Sequence, residues 1–203
     1  MRIEGLGSVA LAVFGIAGFA AGGIITPDSA VASSEFSGSY LIGNTIDGSG
    51  LSAGDVASAT HANYIQGNHW TTRAGEQVDA TATFFFDDAQ TVGQFLLWNH
   101  RSNVIAADPL YAVRTFDLEL FDAAGDSLRL LRGLSAERDV DTAQVYTFGL
   151  VDGVRSATIT IRENHGSGLY TGFAEARFSS VPAPGALAGL GLCGLFAAGR
   201  RRG

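Results

Sequence analysis

Apolar and polar residues alternate with a period of two in several runs through the middle of this chain. The apolar positions of three runs are Val78, Ala80, Ala82, Phe84 and Phe86, then Phe116, Leu118 and Leu120, then Ile159 and Ile161. Because successive side chains of a β-strand point to opposite faces, each run predicts a strand with one buried face. No amphipathic helix longer than about two turns is predicted between residues 33 and 180. The sequence therefore predicts an all-β fold.

Turn residues separate these runs and indicate the number of strands. Asp87-Asp88, residues 122–126 and Asp152-Gly153 supply the Asp and Gly residues that tight turns need. Residues 116–131 are therefore predicted to form a hairpin. Further strands are predicted at residues 92–98, 128–131, 145–150 and 173–178. Seven or eight short strands joined by turns are typical of a β-sandwich or jelly roll.

The beginning of the chain has the pattern of a secretory signal peptide. Residues 9–25 are 17 uncharged residues rich in Ala, Gly, Val, Ile and Phe, and Arg2 precedes them. The small residues Ala30 and Ala32 suit a cleavage site, which makes Ser33 the first residue of the mature protein. Residues 1–32 are thus predicted to be a signal peptide with a helical apolar run. An uncleaved membrane anchor and a buried core helix are the alternatives.

The end of the chain is apolar in the same way but finishes in positive charge. Residues 185–199 are uncharged, and Arg200, Arg201 and Arg202 follow them. As a helix, residues 186–198 would span about 20 Å, so snorkelling arginines must help to cover a hydrocarbon core of about 30 Å. The positive-inside rule keeps such arginines in the cytoplasm. We therefore predict a transmembrane helix that tethers the exported domain to the inner membrane, at least transiently.

A proline-containing motif, Pro182-Ala183-Pro184, precedes this helix. A signal peptide, a motif of this kind, a short Gly/Ala/Leu helix and a terminal Arg run together resemble the PEP-CTERM sorting signal, here in residues 181–203. The resemblance implies that an exosortase, an integral-membrane enzyme, acts on the motif and releases or transfers the protein. The family motif reads Pro-Glu-Pro, so the sequence departs from it at Ala183. A simple C-terminal membrane anchor is the alternative.

The charge of the chain argues against one class of partner. The sequence has 13 Arg and no Lys against 20 acidic residues, which gives a net charge of −7. Residues 33–180 alone carry 9 Arg against 18 acidic residues, a balance of −9. No nucleic-acid partner is therefore expected, and neutral glycans or calcium suit this domain better than acidic polymers. A single Cys provides neither a disulfide framework nor a zinc motif.

A second resemblance lies in the order and spacing of several segments between residues 33 and 180. They are Ile46-Asp47-Gly48, Asn68-His69-Trp70, residues 95–99, the hairpin at 116–128, Ile159-Thr160-Ile161, Asn164-His165-Gly166 and residues 172–178. Together they resemble the discoidin, or coagulation-factor C-type, domain. The resemblance implies an eight-stranded, galactose-binding-like jelly-roll β-sandwich. The Cys pair that joins the two ends in some members is absent, which leaves strand pairing or a metal to close the domain.

The same resemblance implies a structural Ca²⁺ site. It assigns Asp47 in the early loop and Glu175 on the last strand as ligands, with Ser49, Ser52 or nearby carbonyl groups completing the shell. Such oxygen donors suit Ca²⁺, which takes roughly six to eight of them. The alternative is that Asp47 caps its own turn and that Glu175 pairs with an arginine such as Arg177.

Loops at one end of such a jelly roll are expected to carry a ligand site. Aromatic faces pack against the apolar side of a sugar ring, and planar polar groups bind pairs of hydroxyls. The predicted ligand-binding residues are His69, His100, Arg101, Asn164, His165 and Tyr170. Trp70 and Trp98 are instead expected to be core residues, and the Asn side chains have the alternative role of satisfying loop backbone.

Catalysis is not expected, although residues 50–54 spell the GxSxG pattern of serine hydrolases. A nucleophile elbow needs a strand before the serine, and Ser52 follows the loop Gly48-Ser49-Gly50 instead. We therefore predict a non-enzymatic, exported protein of the cell surface or extracellular matrix that binds carbohydrate, with extracellular polysaccharide as a candidate partner. A purely structural matrix protein is the alternative, and a hydrolase ranks third.

Overall fold

The structure is a computed structural model, and it describes residues 23–52, 56–101 and 109–180. Eight strands lie in these residues: β1 Ile24–Ile25, β2 Ser29–Ala32, β3 Trp70–Thr71, β4 Thr81–Asn99, β5 Val113–Phe121, β6 Ser127–Ser135, β7 Gln144–Asn164 and β8 Gly172–Ser179. The helices of the described residues are three short 3-10 turns, at Ile42–Thr45, Val56–Ser58 and Pro109–Tyr111. The prediction of an all-β fold is confirmed. The count of eight is reached by partly different strands, because β1, β2 and β3 were not predicted, whereas β4 and β7 each join two predicted strands.

Two long strands, β4 and β7, connect the two layers of a sandwich. The sheet order is β1-β8-β4-β7-β5-β6, and β2 and β3 join β4 and β8. Residues 82–85 of β4 pair with β2, and residues 81–85 pair with the second half of β7, whereas residues 94–99 pair with β8. Every pairing between named strands is antiparallel. The chain therefore passes from one layer to the other inside β4 and again inside β7.

The prediction that strands end in turns at Asp87-Asp88 and at Asp152-Gly153 is wrong. Both pairs lie within continuous strands, where the β4–β7 register shifts repeatedly between Phe85 and Gln94. Extra residues in a ladder bend a strand without ending it, and Gly153 accommodates this with a φ of +79°. Asp and Gly residues thus mark bends here. The predicted hairpin, by contrast, is confirmed as β5 and β6.

The hydrophobic core lies between the two layers. Phe84 of the first layer contacts Phe178 of β8 at a ring-centroid distance of 5.8 Å, and Phe95 contacts Phe116 at 5.9 Å. All the predicted inward positions are buried except Val78, which is 61% exposed because the strand begins after it, at Thr81. Trp70 and Trp98 are fully buried and donate their indole N–H to Ser34 O and Ala59 O, which confirms them as core residues.

The two ends of the domain lie side by side. Ile24 and Ile25 pair with Ser179 and Phe178, and the Ser180 N–H donates to Gly23 O at 3.2 Å. Strand pairing therefore joins the beginning of the domain to its end. Residues 24–32, which the sequence assigned to the signal peptide, form β1 and β2 of the sheet. A boundary after Ala32 stays a prediction, but cleavage there would remove both strands.

The remaining predictions for the two ends fall outside the described residues. They are the signal-peptide helix, the motif Pro182-Ala183-Pro184, the C-terminal helix and Arg200, Arg201 and Arg202. Across residues 23–52, 56–101 and 109–180, no helix has the length and apolar character needed to span a bilayer.

Candidate functional site

An aromatic pocket with a volume of about 190 Å³ opens at one end of the sandwich. Its lining residues are Phe36, Tyr40, Tyr64, His69, Thr71, Tyr111 and Tyr170. They come from the segment before β3, from β3 itself, from the 3-10 turn before β5 and from the loop before β8. We call this feature the aromatic pocket. Four of the five tyrosines of the chain lie in it.

Edge-to-face ring contacts hold the walls of the aromatic pocket. Phe36 lies 5.4 Å from Tyr170 and 5.5 Å from Tyr40, measured between ring centroids. His69 lies 5.0 Å from both Tyr40 and Tyr64. Such T-shaped pairs contribute about 0.5–1.5 kcal/mol each beyond the area they bury. The walls are therefore shaped by their own side chains before any ligand enters.

A glycine brings the two strands at the base of the aromatic pocket together. Gly172 opens β8 and pairs with Thr71 of β3. A Cβ atom at Gly172 would collide with the backbone carbonyl oxygen of Trp70, so any other residue would push β3 away from β8. Thr71 and Tyr170, which both line the pocket, depend on this close approach.

His69 contributes a buried imidazole to the pocket wall. Its ring is 1% exposed, and its Nδ1 lies 3.0 Å from Asn68 Oδ1. Donation from Nδ1 to this amide oxygen leaves Nε2 as an acceptor, and Nε2 has no hydrogen-bond partner within the described structure. Burial lowers the pKa of His69 to about 4. The imidazole is therefore neutral near pH 7.

His100 lies behind the wall and does not line the aromatic pocket. Its ring is fully buried, 5.2 Å from His69 and 3.8 Å from Tyr111 between ring centroids. Neither ring nitrogen has a hydrogen-bond partner in the described part of the chain. Burial, followed by the neighbouring His69, lowers the pKa of His100 to about 2. Its position supports a packing role, and the predicted ligand contact would require it to become accessible.

The described walls of the aromatic pocket carry no formal charge at neutral pH. Burial, reinforced by Tyr64 and Tyr40, raises the pKa of Tyr111, so its phenol keeps its proton. The other lining side chains are aromatic rings, a threonine and the neutral His69. None of the described lining residues therefore brings a formal charge at neutral pH, although the chain as a whole carries −7.

Three other predicted ligand residues have structural contacts outside the aromatic pocket. Arg101 Nε lies 4.0 Å from Asp139 Oδ1, and Arg101 Nη1 lies 3.9 Å from Asp141 Oδ2. Asn164 donates to the carbonyl oxygens of Ser167 and Tyr170, both at 2.8 Å, and so shapes the loop that carries Tyr170. The His165 ring lies 2.9 Å from Ala136 O. The alternative role proposed for Asn164, satisfying loop backbone, is confirmed.

Asn164 also lines a second depression, which we call the polar cleft. Its volume is about 230 Å³, and its other lining residues are Gln77, Val78, Arg114, Arg162, Glu163 and Ser167. Arg162 donates from Nε and Nη2 to Asp117 Oδ2 at 3.0 and 2.9 Å and also pairs with Asp79. The guanidinium groups here are thus engaged with carboxylates, unlike the neutral walls of the aromatic pocket.

Of the predicted ligand residues, the structure places His69 and Tyr170 in the aromatic pocket. Sequence reasoning did not select Phe36, Tyr40, Thr71 and Tyr111. Their signal is the concentration of tyrosine outside the alternating runs, since four of the five tyrosines stand in segments between predicted strands. That concentration does not reveal which loops meet, because 134 positions separate Phe36 from Tyr170.

The predicted calcium ligands lie near each other, but both have other contacts. Asp47 Oδ1 accepts hydrogen bonds from Ser49 N and Ser49 Oγ at 2.7 and 2.6 Å, which is the turn-capping alternative. Glu175 is fully buried and forms an ion pair with Arg177, which is the other alternative. Burial raises the pKa of Glu175, and the guanidinium of Arg177 opposes that rise.

The GxSxG segment does not form a nucleophile elbow in its described part. Ser52 is exposed in the loop after Gly48-Ser49-Gly50, and its Oγ accepts a hydrogen bond from Thr60 N at 3.0 Å. The His61 ring bonds instead to the carbonyl oxygens of Ala62 and Ser49. The described residues thus give Ser52 no strand to precede it.

Solved structures with the same fold include binding modules and a coagulation-factor-type domain. The family 32 CBM from C. perfringens NanJ, in complex with galactose, matches with a TM-score of 0.55 and 15% sequence identity, over 78% of this chain and 98% of that chain. The CBM32 of AlyQ, in complex with 4,5-unsaturated mannuronic acid, matches with a TM-score of 0.52 and 16% identity, over 76% of this chain and 96% of that chain. An F5/8 type C domain from Bacteroides fragilis matches with a TM-score of 0.51 and 15% identity, over 76% of this chain and 92% of that chain.

These similarities establish the fold. The domain is a galactose-binding-like β-sandwich, as the discoidin resemblance implied. No family model matches the sequence, and no curated protein sequence does.

Proposed function

We propose that this protein is an exported, non-catalytic carbohydrate-binding protein and that the aromatic pocket is its sugar site. The observation that carries the proposal is the pocket itself, with its neutral tyrosine-rich walls on a galactose-binding-like fold. The matching binding modules are non-catalytic domains, although one such module also occurs beside an alginate lyase domain. Their bound sugars support a glycan as the class of ligand for this chain.

The pocket has the chemistry that binding of a sugar ring requires. One face of a pyranose is lined by C–H groups, which pack favourably against aromatic rings, and its edge carries hydroxyls. Tyrosine serves both parts, because its ring is apolar and its hydroxyl donates and accepts hydrogen bonds. The volume of about 190 Å³ is below the roughly 300–1,000 Å³ of pockets that enclose drug-sized ligands, so we propose that the pocket holds a single sugar residue and leaves the rest of a glycan chain outside.

The absence of charge among the described lining residues favours a neutral sugar. A uronate or sulfated ring would enter without a cationic partner from Phe36, Tyr40, Tyr64, His69, Thr71, Tyr111 or Tyr170. Desolvating an unpaired anion is costly, and the net charge of −7 adds long-range repulsion. We therefore propose neutral extracellular polysaccharide or glycan as the partner.

The position of the two ends of the domain fits display of the pocket at a surface. Tyr170 precedes β8, and Ser180, which lies beside Gly23, follows it. The eight residues of β8 span about 25 Å, so the pocket lies at one end of this strand, and Gly23 and Ser180 lie at the other. A domain tethered through either of these residues would present the aromatic pocket away from its attachment. This arrangement fits a cell-surface or matrix location, which we propose together with the sorting of residues 181–203 by an exosortase.

Tyr170→Ala is expected to weaken binding of a retained neutral glycan by at least about tenfold, which corresponds to 1.4 kcal/mol. The substitution removes one wall of the pocket but leaves the backbone bonds of the loop in place. Binding would be measured on a glycan array and by retention on the exopolysaccharide of the source strain, then by titration calorimetry. Leu169→Ala is the matched control, because Leu169 is 55% exposed in the same loop and is not a lining residue.

The array also decides between binding and a purely structural role. A structural matrix protein predicts no selective retention of any neutral glycan and equal behaviour of the Tyr170 and Leu169 variants. If the wild-type chain retains acidic glycans and no neutral ones, the neutral-sugar proposal is wrong even though carbohydrate binding is upheld.

A further inference from the structure

Two opposite charges are buried next to each other on the last strand. Glu175 and Arg177 are separated by one residue on β8, so their side chains lie on the same face of the strand. Glu175 is 0% exposed and Arg177 is 4% exposed, and Arg177 Nη1 contacts Glu175 Oε1. Such complete burial is unusual for either residue type unless the charge is paired.

The guanidinium of Arg177 also reaches the early loop. Its Nη1 donates to Thr45 O at 3.4 Å and to Ala176 O at 2.9 Å. A Cβ atom built on Gly48 would lie 3.7 Å from Arg177 Nη2, so the guanidinium lies against the turn that contains Asp47. Asp47 is close enough to act electrostatically on both members of the pair. One cation thus faces Glu175, the Thr45 carbonyl and the Asp47 turn together.

Asp47 and Glu175 are the two residues that the discoidin resemblance assigned to Ca²⁺. A Ca²⁺ ion between Asp47 and Glu175 would have to displace the guanidinium from the Glu175 carboxylate, and the two cations would repel each other at contact distance. Asp47 Oδ1 is in addition committed to two hydrogen bonds from Ser49. Within the described residues, no group of three or more His, Cys, Asp or Glu side chains is arranged to hold a metal. The residues that the structure describes at this place therefore do not fit the ion.

We propose that Arg177 is the resident cation of this domain and replaces a structural metal in joining the early loop to the last strand. A guanidinium supplies several N–H donors in a fixed plane, which lets one side chain bond a carboxylate and backbone carbonyls at once. The link is covalently built into the chain, so it is present in calcium-poor surroundings. This inference does not depend on the proposed sugar site.

The first test is the thermal midpoint of the wild-type full-length chain in excess Ca²⁺ and in excess EDTA. A bound metal raises the midpoint by mass action, whereas a built-in cation makes the midpoint independent of calcium. We expect the two midpoints to agree within about 1 °C. A midpoint that falls on addition of EDTA and is restored by Ca²⁺ overturns the proposal.

The second test removes the cation. Arg177→Met is expected to lower the midpoint by about 10 °C, because it leaves the Glu175 carboxylate buried without its partner. Adding Glu175→Gln to it is expected to recover at least about half of the loss, since the stranded charge is then gone. Arg73→Met is the matched control, because the Arg73 side chain is 67% exposed, and we expect a change below about 1 °C.

The two tests together remain decisive if Arg177→Met fails to fold, because the wild-type chelator measurement needs no variant. A wild-type midpoint that is insensitive to EDTA, with a folded Arg177→Met as stable as Arg73→Met, would also overturn the proposal. In that case neither a metal nor Arg177 would join the early loop to the strand.

Discussion

A chain that begins at Ser33 is expected to be less stable than one that begins at Gly23 by about 3 kcal/mol. The shorter chain lacks β1 and β2, which pair with β8 and with residues 82–85 of β4. Ile25, Ala30 and Ala32 are partly buried against the main core. Fully burying one isoleucine contributes roughly 1.5–3 kcal/mol, so Ile25 supplies part of that value, and the two alanines and the lost backbone pairing add to it. The measurement is denaturant unfolding of both chains, each ending at Ser180, followed by tyrosine and tryptophan fluorescence.

This result bears on where the signal peptide ends. If β1 and β2 are needed, cleavage of the exported protein is expected before Ile24, and the mature N-terminus can be read by mass spectrometry. An extracellular form that begins at Ser33, with stability equal to that of the longer chain, would show that the two strands are dispensable. A chain beginning at Thr26, which removes β1 and keeps β2, separates the contributions of the two strands.

The stability of the domain is expected to fall as the pH drops below about 6.5, by about 1.4 kcal/mol per pH unit for each buried imidazole. The folded-state pKa values of His69 and His100 are lowered to about 4 and about 2, below the ordinary value of 6.5. The unfolded chain therefore binds protons that the folded chain rejects. The stability that neutral His69 contributes is fully present above pH 6.5 and is lost progressively as the pH falls to about 4. The loss of stability from His100 continues at still lower pH, because its folded-state pKa is about 2.

His100→Phe tests this directly, because neither nitrogen of His100 has a hydrogen-bond partner in the described structure to lose. We expect the stability of the variant relative to wild type to rise by about 2 kcal/mol between pH 7 and pH 5, whatever packing change it shows at pH 7. Phe116→Leu is the control, since it perturbs the core without altering proton uptake. If the stability of His100→Phe relative to wild type is the same at both pH values, then His100 is not held neutral by burial in the folded protein.

The alternating runs predicted most of the core because burial on one face of a strand leaves a direct mark on the sequence. Phe84, Phe116 and Ile159 are all buried as the period of two indicated. The path of β4 and β7 was harder to predict, because Asp and Gly occur both in turns and in bulges. Local residue preferences cannot distinguish a strand that ends at Asp87 from one that bends there and continues in the other layer.

The sequence predicted only part of the site, because residue chemistry can be recognised locally whereas the packing of loops against each other cannot. His69 and Tyr170 were identifiable as loop residues of suitable chemistry, and both line the aromatic pocket. Whether a loop side chain faces a pocket, a backbone carbonyl or the core depends on contacts distant in sequence. His165 binds Ala136 O and His100 is enclosed by Tyr64, His69 and Tyr111, and no local pattern marks either outcome. Tyr40 and Tyr111 enter the site through the packing of separate loops.

The most direct test of the central claim is to locate a bound neutral sugar on the domain by NMR. Backbone amide shifts of residues 23–180 would be recorded while the neutral glycan retained in the array is titrated in. The aromatic pocket as sugar site predicts saturable shifts at Tyr40, Tyr64, Thr71 and Tyr170 in the wild-type domain. In Tyr170→Ala, at least about tenfold more sugar is expected to be needed to reach the same shifts at Tyr40, Tyr64 and Thr71. Shifts that instead concentrate at Arg114, Arg162 and Glu163 of the polar cleft, or that persist unchanged in Tyr170→Ala, would contradict it.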